Sequence, residues 1–275
     1  MRLKLQSGWV FIIQPRILGS ELINTSTVTI AAPIRNRAWI LPDYLQHIYG
    51  IDYPKERIEL LFVVNDSNDK SFDILSNFKK ENKHVYKNIR IDLYNRNTPE
   101  DKRDANVRNN FIYDHLSKLR NYIMSKTKTD HLMFIDTDIL VQPDIINNLL
   151  NHNKDIISGL IWNGYIVCPE KPYTYPNIMK LRKDDGIYEH IVNYQVKNTQ
   201  RLSSTSLIPV DLTGAVIMLS RKVYKTVKYG FHPQGEDAYF CRMAQSKGFE
   251  LFCDLSVFSH HIMSLEYLEN YLRES

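Results

Sequence analysis

Asp136 and Asp138, in HLMFIDTDILVQPDII (131–146), are two carboxylates placed where they can do chemistry. His131–Ile135 is short and apolar enough to form a buried strand. A buried carboxylate is costly unless something pairs with it or coordinates it. The two aspartates therefore stand at the strand's exit, within reach of water and ligands, or against a cation. Separated by one residue, they project to a common edge of a sheet once the backbone turns. Oxygen donors of this kind suit Mg²⁺ or Mn²⁺, which keep several waters and also bind substrate phosphates. A cation held there can neutralise a diphosphate leaving group. Taken alone, Asp-x-Asp also serves as a turn or cap. Pro143 and Asp144 read as the first turn of the next helix.

The elements around this pair alternate. TVTIAAP (27–33) reads as a strand and AWILPDYLQHIYG (38–50) as a helix; RIELLFVVND (57–66) is a continuous apolar strand of the kind a doubly covered parallel sheet requires. A helix over 69–82, a strand over 88–95 and a long helix over 108–126 lead into HLMFID. A helix (144–152) and a strand (155–162) follow it. Such βαβ spacing predicts an α/β fold with a mainly parallel central sheet flanked by helices. Ligands on such sheets bind beyond the carboxyl ends of the strands. Three polar clusters fall there: PIRNR after the first strand, NDSND after the second, and DTD.

Residues 163–206 lack a clear period and read as an irregular insertion facing the substrate. Tyr165, Tyr173, Tyr175 and Tyr188 within it offer apolar faces to sugar rings or pack onto the core. Regular structure returns at 207–227, then as a loop, helix and strand over 235–254. The chain reads as one domain over 27–261, preceded by an extension (1–26) and followed by a helix (262–275).

With 275 residues, 43% of them hydrophobic and 24% charged, the composition is that of an ordinary globular protein. A net charge of +4 suits an anionic ligand or membrane surface and falls well short of a nucleic-acid-binding signature, so no nucleic-acid partner is expected. The basic stretch FKKENKHVYKNIR (78–90) reads as a solvated helix face. Cys168, Cys241 and Cys253 have no metal-ligand spacing and leave an odd thiol, which points to reduced thiols and a cytoplasmic setting. GWVFII (8–13) is too short for a signal peptide, and no run approaches the roughly 20 apolar residues of a spanning helix. The amphipathic tail SLEYLENYLRES suits peripheral contact with the inner face of a membrane, a partner, or packing on its own domain. Oligomeric state is not legible.

The ordered segments TVTIAAPIRNR, FVVNDSND, KLRNYIM, FIDTDIL and GEDAYFCRMAQSKGF resemble GT-A glycosyltransferases from residue 27 to about 261. The broad likeness is to bacterial family-two enzymes. LRNYIM…DHLMFIDTDILVQPDIINNLLNHNKDII is similar to the fungal mannan-polymerase type of α-mannosyltransferase. The resemblance implies a GT-A fold, a UDP- or GDP-linked sugar donor, a carbohydrate or glycoconjugate acceptor, and Mn²⁺ or Mg²⁺. It places Pro33, Arg35 and Arg37 at the nucleotide and Asp66 at its base or ribose. Arg120 would face the nucleotide or its phosphates, and Asp136 the donor's ribose or sugar. It makes Asp138 the direct metal ligand, has His260 complete the metal site, and sets Glu236 and Asp237 toward the acceptor.

Plain structural readings stand beside these. Asp66 could cap a helix, Arg120 could lie on a helix surface, and His260 and His261 could be structural. Glu236 and Asp237 could be the acidic first turn that a helix dipole favours. Inversion with a carboxylate base is expected from the GED segment; retention is the alternative the mannosyltransferase likeness favours. Two rival classes are a HAD-type phosphotransferase and a non-catalytic binding subunit. The first places Thr or Val where Leu140 stands, and its motif opens the domain. The second is opposed by intact Asp138 and Glu236–Asp237. A sugar nucleotidyltransferase would need a glycine-rich loop, and AAPIRNR has no glycine.

Overall fold

The computed structural model describes residues 25–100, 110–165, 173–191 and 206–274. Strands β1 (Val28–Ile34), β2 (Ile58–Val64), β3 (Asn88–Leu93) and β4 (His131–Ile135) form a parallel block in the order β3-β2-β1-β4. Beyond β4 lie β11 (Val216–Ser220), β6 (Ile156–Tyr165), β12 (Leu251–His261) and β10 (Leu207–Val210). β11 runs antiparallel to both β4 and β6, so β6 and its parallel neighbour β12 keep the direction of the first block. The sheet is therefore mainly parallel. One edge holds the carboxyl ends of six strands and the start of β11.

Both faces of this sheet are covered, which is why its strands read as continuous apolar runs rather than alternating ones. Val28, Ile30, Ala32 and Ile34 of β1 pack under α1 (Leu41–Tyr49), α2 (Ser71–Asn82), α4 (Ile145–Asn151) and the C-terminal helix α7 (Leu265–Glu274). Ala31, with Leu61 and Val63 of β2, faces α3 (Asn110–Lys126), α5 (Arg221–Thr226) and α6 (Glu236–Ser246). The period of two along a strand assigns each residue its layer. Pro33 lies on central β1, yet the pairing of β1 with β4 ends at Ala31–Phe134. Its missing N–H therefore falls where the sheet has already opened.

The expected strands and helices up to residue 162 are present, with ends shifted by a few residues. Within 163–206 the described residues include short strands that the sequence did not announce. β6 runs on to Tyr165 and pairs with β7 (Tyr173–Pro176), and β8 (Met179–Leu181) pairs with β9 (Tyr188–His190) as a hairpin. Tyr175 and Tyr188 are buried rather than offered to a ligand. Strands of three and four residues are too short to show a period. Residues 1–24 of the expected extension, and Cys168, lie outside the described residues. No helix among the described residues is long and apolar enough to cross a membrane.

Candidate active site

The DTD turn leaves β4 at the open edge. The backbone N–H of Asp136 donates to Ala215 O at 2.9 Å, and Ile139 N donates back to Asp136 O at 3.0 Å. β5 (Ile139–Leu140) then pairs antiparallel with the end of β12, matching Ile139 to His261 and Leu140 to His260. Ile262 N also donates to Asp138 O at 2.7 Å, so the last strand is fastened over the turn. Tyr44, buried on α1, donates its hydroxyl to Ile135 O at 3.0 Å and closes the turn from the other face.

This pairing decides which histidine meets Asp138. His261 Nε2 lies 3.9 Å from Asp138 Oδ1, and its Nδ1 is 2.8 Å from Asn163 Oδ1. His260 turns the other way, its ring 4.9 Å from both Phe258 and Tyr271. The histidine beside Asp138 is therefore His261 and not the expected His260, because successive strand residues point to opposite faces. Burial depresses the His260 basicity, and nearby His47 adds to the effect. Arg37 reaches Asp138 from the β1–α1 loop, Nη2 to Oδ2, at 3.2 Å.

Asp136 faces a different cation. Arg120, 2% exposed, donates from Nη2 to Asp136 Oδ1 at 3.1 Å and from Nε to Glu236 Oε1 at 3.4 Å. Asp237 Oδ1 stands 4.0 Å from the same Nε. The guanidinium lies 5.0 Å from the Phe134 ring centre and 5.5 Å from that of Tyr229. Burial opposes its charge, but Asp136, Asp237 and Glu236 outweigh burial and hold Arg120 firmly protonated. The surface-helix reading of Arg120 is thereby excluded. Two of its three nitrogens are committed to carboxylates.

Glu236 and Asp237 open α6 after Gly235, whose φ of 109° lies outside the range comfortable for other residues. The Glu236 side chain is nearly buried against Arg120, whereas that of Asp237 is 26% exposed. Asp237 lies against Gly214: a methyl group added there would overlap Oδ2. Asn177 locks that glycine in place. Its Nδ2 donates to Gly214 O at 3.0 Å and Gly159 O at 3.2 Å, and its Oδ1 accepts from Ile161 N at 3.0 Å. Gly214 and Asn177 escaped the sequence reading because TGAV and YPN carry no motif.

The β2 loop is built from Asp66 and Arg35. Asp66, at φ 44°, accepts from the N–H groups of Arg96, Asn97 and Thr98 at 2.9–3.0 Å. Partial burial raises its pKa, but these three donors more than offset that and leave the carboxyl below its ordinary value. Arg35 donates to Thr98 O at 2.6 Å and Pro99 O at 3.0 Å. Helix α2 is entered by Asp69, whose Oδ1 accepts from Ser71 N at 2.9 Å; the capping reading of Asp66 is thus replaced by a loop clamp. His115, on α3, adds contacts to Asn65 and Thr98 at 3.1 Å.

A divalent cation can be accommodated by the chemistry of these donors. Among the described residues no three His, Cys, Asp or Glu side chains converge as a self-sufficient metal cage. Mg²⁺ and Mn²⁺ do not need one, since they accept one or two protein ligands and take the rest from phosphates and water. Asp138, with His261 beside it, matches that demand.

The fold and the strand-end carboxylates define the class: this is a GT-A glycosyltransferase fold. The chain belongs to the Anp1 family, whose model matches residues 19–221. Among curated relatives, human procollagen galactosyltransferase 2 is 23% identical over 82% of this chain and 35% of its own length. The mannan polymerase II complex anp1 subunit of Schizosaccharomyces pombe is 25% identical over 82% of this chain and 61% of its own. The chain spans about a third of the length of the human and mouse procollagen galactosyltransferases it matches. Among solved structures, the mannosyltransferase PcManGT of Pyrobaculum calidifontis, in complex with GDP-Man and Mn²⁺, superposes with a TM-score of 0.53 at 14% identity, covering 87% of this chain and 57% of that one. GalNAc-T7 with UDP, GalNAc and Mn²⁺ superposes at 0.59 and 17% identity, covering 91% and 47%.

Proposed function

We propose that this chain is a metal-dependent glycosyltransferase that moves a sugar from a nucleotide-diphosphate donor to an acceptor hydroxyl with inversion. The observation that carries the reading is Asp138 at the open edge of the sheet, met by Arg37 from one loop and His261 from the last strand. Asp138 and His261 would hold Mn²⁺ or Mg²⁺, and the ion would supply positive charge to the departing diphosphate. Arg37 turns its planar fork of donors toward the same phosphates. Pro33, Arg35 and the loop clamped by Asp66 shape the nucleotide side. Asp136, restrained by Arg120, lies toward the donor sugar.

The acceptor's oxygen attacks the anomeric carbon as the bond to the diphosphate oxygen breaks. An alcohol is a poor nucleophile, so its proton must pass to a carboxylate within hydrogen-bond reach. Asp237 is assigned that role because it is the more exposed of the acidic pair, while Glu236 is spent on Arg120. The donors we infer are UDP- or GDP-linked hexoses, in keeping with relatives named as a galactosyltransferase and a mannan polymerase subunit. The acceptor is a carbohydrate or glycoconjugate. A reduced, cytoplasmic setting, with peripheral membrane contact, suits the free buried thiols Cys241 and Cys253.

The test is a thermal-shift and turnover screen of UDP-, GDP- and dTDP-hexoses with and without Mn²⁺. A ligand that binds only the folded state raises the melting temperature by mass action. The expected result is a metal-dependent shift with one class of nucleotide, and a product of inverted anomeric configuration by NMR. Retention would remove the single-displacement mechanism, and turnover undiminished in excess EDTA would remove the metal.

A further inference from the structure

Helix α3 presents one face to the chain segment that delivers the acidic pair. Ser117, Arg120 and Asn121 stand three and four residues apart, hence side by side on that helix. Ser117 donates to Gly230 O at 2.8 Å. Asn121 exchanges two hydrogen bonds with the Tyr229 backbone, both 2.9 Å. The Tyr229 ring stacks on Phe240 of α6, 4.4 Å between centres. Arg120 lies between these anchors and brings a buried positive charge to that face. One guanidinium joins two distant elements: the end of β4 through Asp136, and the first turn of α6 through Glu236.

We propose that Arg120 is a positioning residue, whose buried guanidinium sets where the Asp136 and Glu236 carboxylates stand and thereby registers the donor side of the site against the acceptor side. The roles of those carboxylates rest on the glycosyltransferase reading above; the structural coupling does not. A fork of rigid donors suits the task because it fixes two carboxylates at a set angle, which a point-charge ammonium does not. Burial adds to the constraint. Neither Asp136 nor Glu236 can drift without leaving the buried guanidinium less compensated.

Two measurements test this. The first is a melting-temperature cycle of wild type, Arg120→Met, Glu236→Gln and the double variant. Arg120→Met should lower the melting temperature by about 5 °C or more, since one buried partner is removed. Adding Glu236→Gln should recover much of that loss, because the orphaned carboxylate is gone. Strict additivity of the two changes would overturn the coupling. The second is steady-state kinetics on folded protein. Arg120→Met should lower kcat by roughly 10²-fold, the cost of about 1 Å of misplacement, with donor KM changed by only a few-fold. Arg120→Lys should regain part of kcat. Equal kcat in wild type and Arg120→Met would overturn the positioning role. If wild type turns over no nucleotide sugar, the proposed function falls, and the melting cycle alone still decides the coupling.

Discussion

Arg37 and Asp138 are joined across the open edge of the sheet, Nη2 to Oδ2, at 3.2 Å. The pair links the loop after the first strand to the turn after the fourth. Both side chains are partly exposed, so the contact contributes little to stability. Its consequence is chemical: the carboxylate proposed to bind a divalent cation is held in place by an organic one. Asp138→Ala is expected to leave the fold intact and abolish the Mn²⁺-dependent part of nucleotide binding. Calorimetric titration of nucleotide with and without Mn²⁺ reads this directly. Arg37→Ala should weaken nucleotide binding even without metal.

The neighbouring histidines should behave differently. His261→Ala is expected to weaken Mn²⁺-dependent donor binding by about tenfold or more. His260→Ala should leave it within about twofold, because that ring packs on Phe258 and Tyr271. The reverse ranking in the same titration would return the metal role to His260.

Gly214 gives a way to move Asp237 without changing it. A methyl group at residue 214 would meet the Asp237 carboxylate, a side-chain end that can shift. Gly214→Ala should therefore fold and lower kcat by roughly 10²-fold, the penalty of about 1 Å of misplacement. Asp237→Asn, which keeps shape and removes basicity, should lower the rate by roughly 10²- to 10⁴-fold. Donor affinity should hardly change in either variant.

Acid should loosen the β2 loop before the core. The Asp66 carboxyl is held below its ordinary value of 3.8 by the amides of Arg96, Asn97 and Thr98, after partial burial has pushed it the other way. A depressed carboxyl contributes stability that is complete above its unfolded value and is lost as pH falls through the lower folded one. Hydrogen exchange of those three amides should rise relative to core β1 amides as pH drops below 3.8. Asp66→Asn should show the faster exchange already at neutral pH.

Much of this molecule was written in the sequence. The apolar runs of β1, β2 and β4 and the polar clusters behind them required a covered, mainly parallel sheet with its ligand edge at PIRNR, NDSND and DTD. That follows because burial on both faces and the cost of buried charge are local demands, legible residue by residue. Three features were settled only by tertiary structure. That His261 and not His260 lies beside Asp138 depends on the register of β12 with β5, and a slip of one residue would reverse it. The fate of Arg120 depends on the packing of α3 against α6, which turns a helix arginine into a buried counter-ion for carboxylates from two distant elements. The place of Asp237 depends on Gly214, brought under it by an antiparallel strand inserted between β4 and β6. Spacing along a chain specifies which faces are buried; which partners meet across the site is decided by long-range pairing that no local pattern encodes.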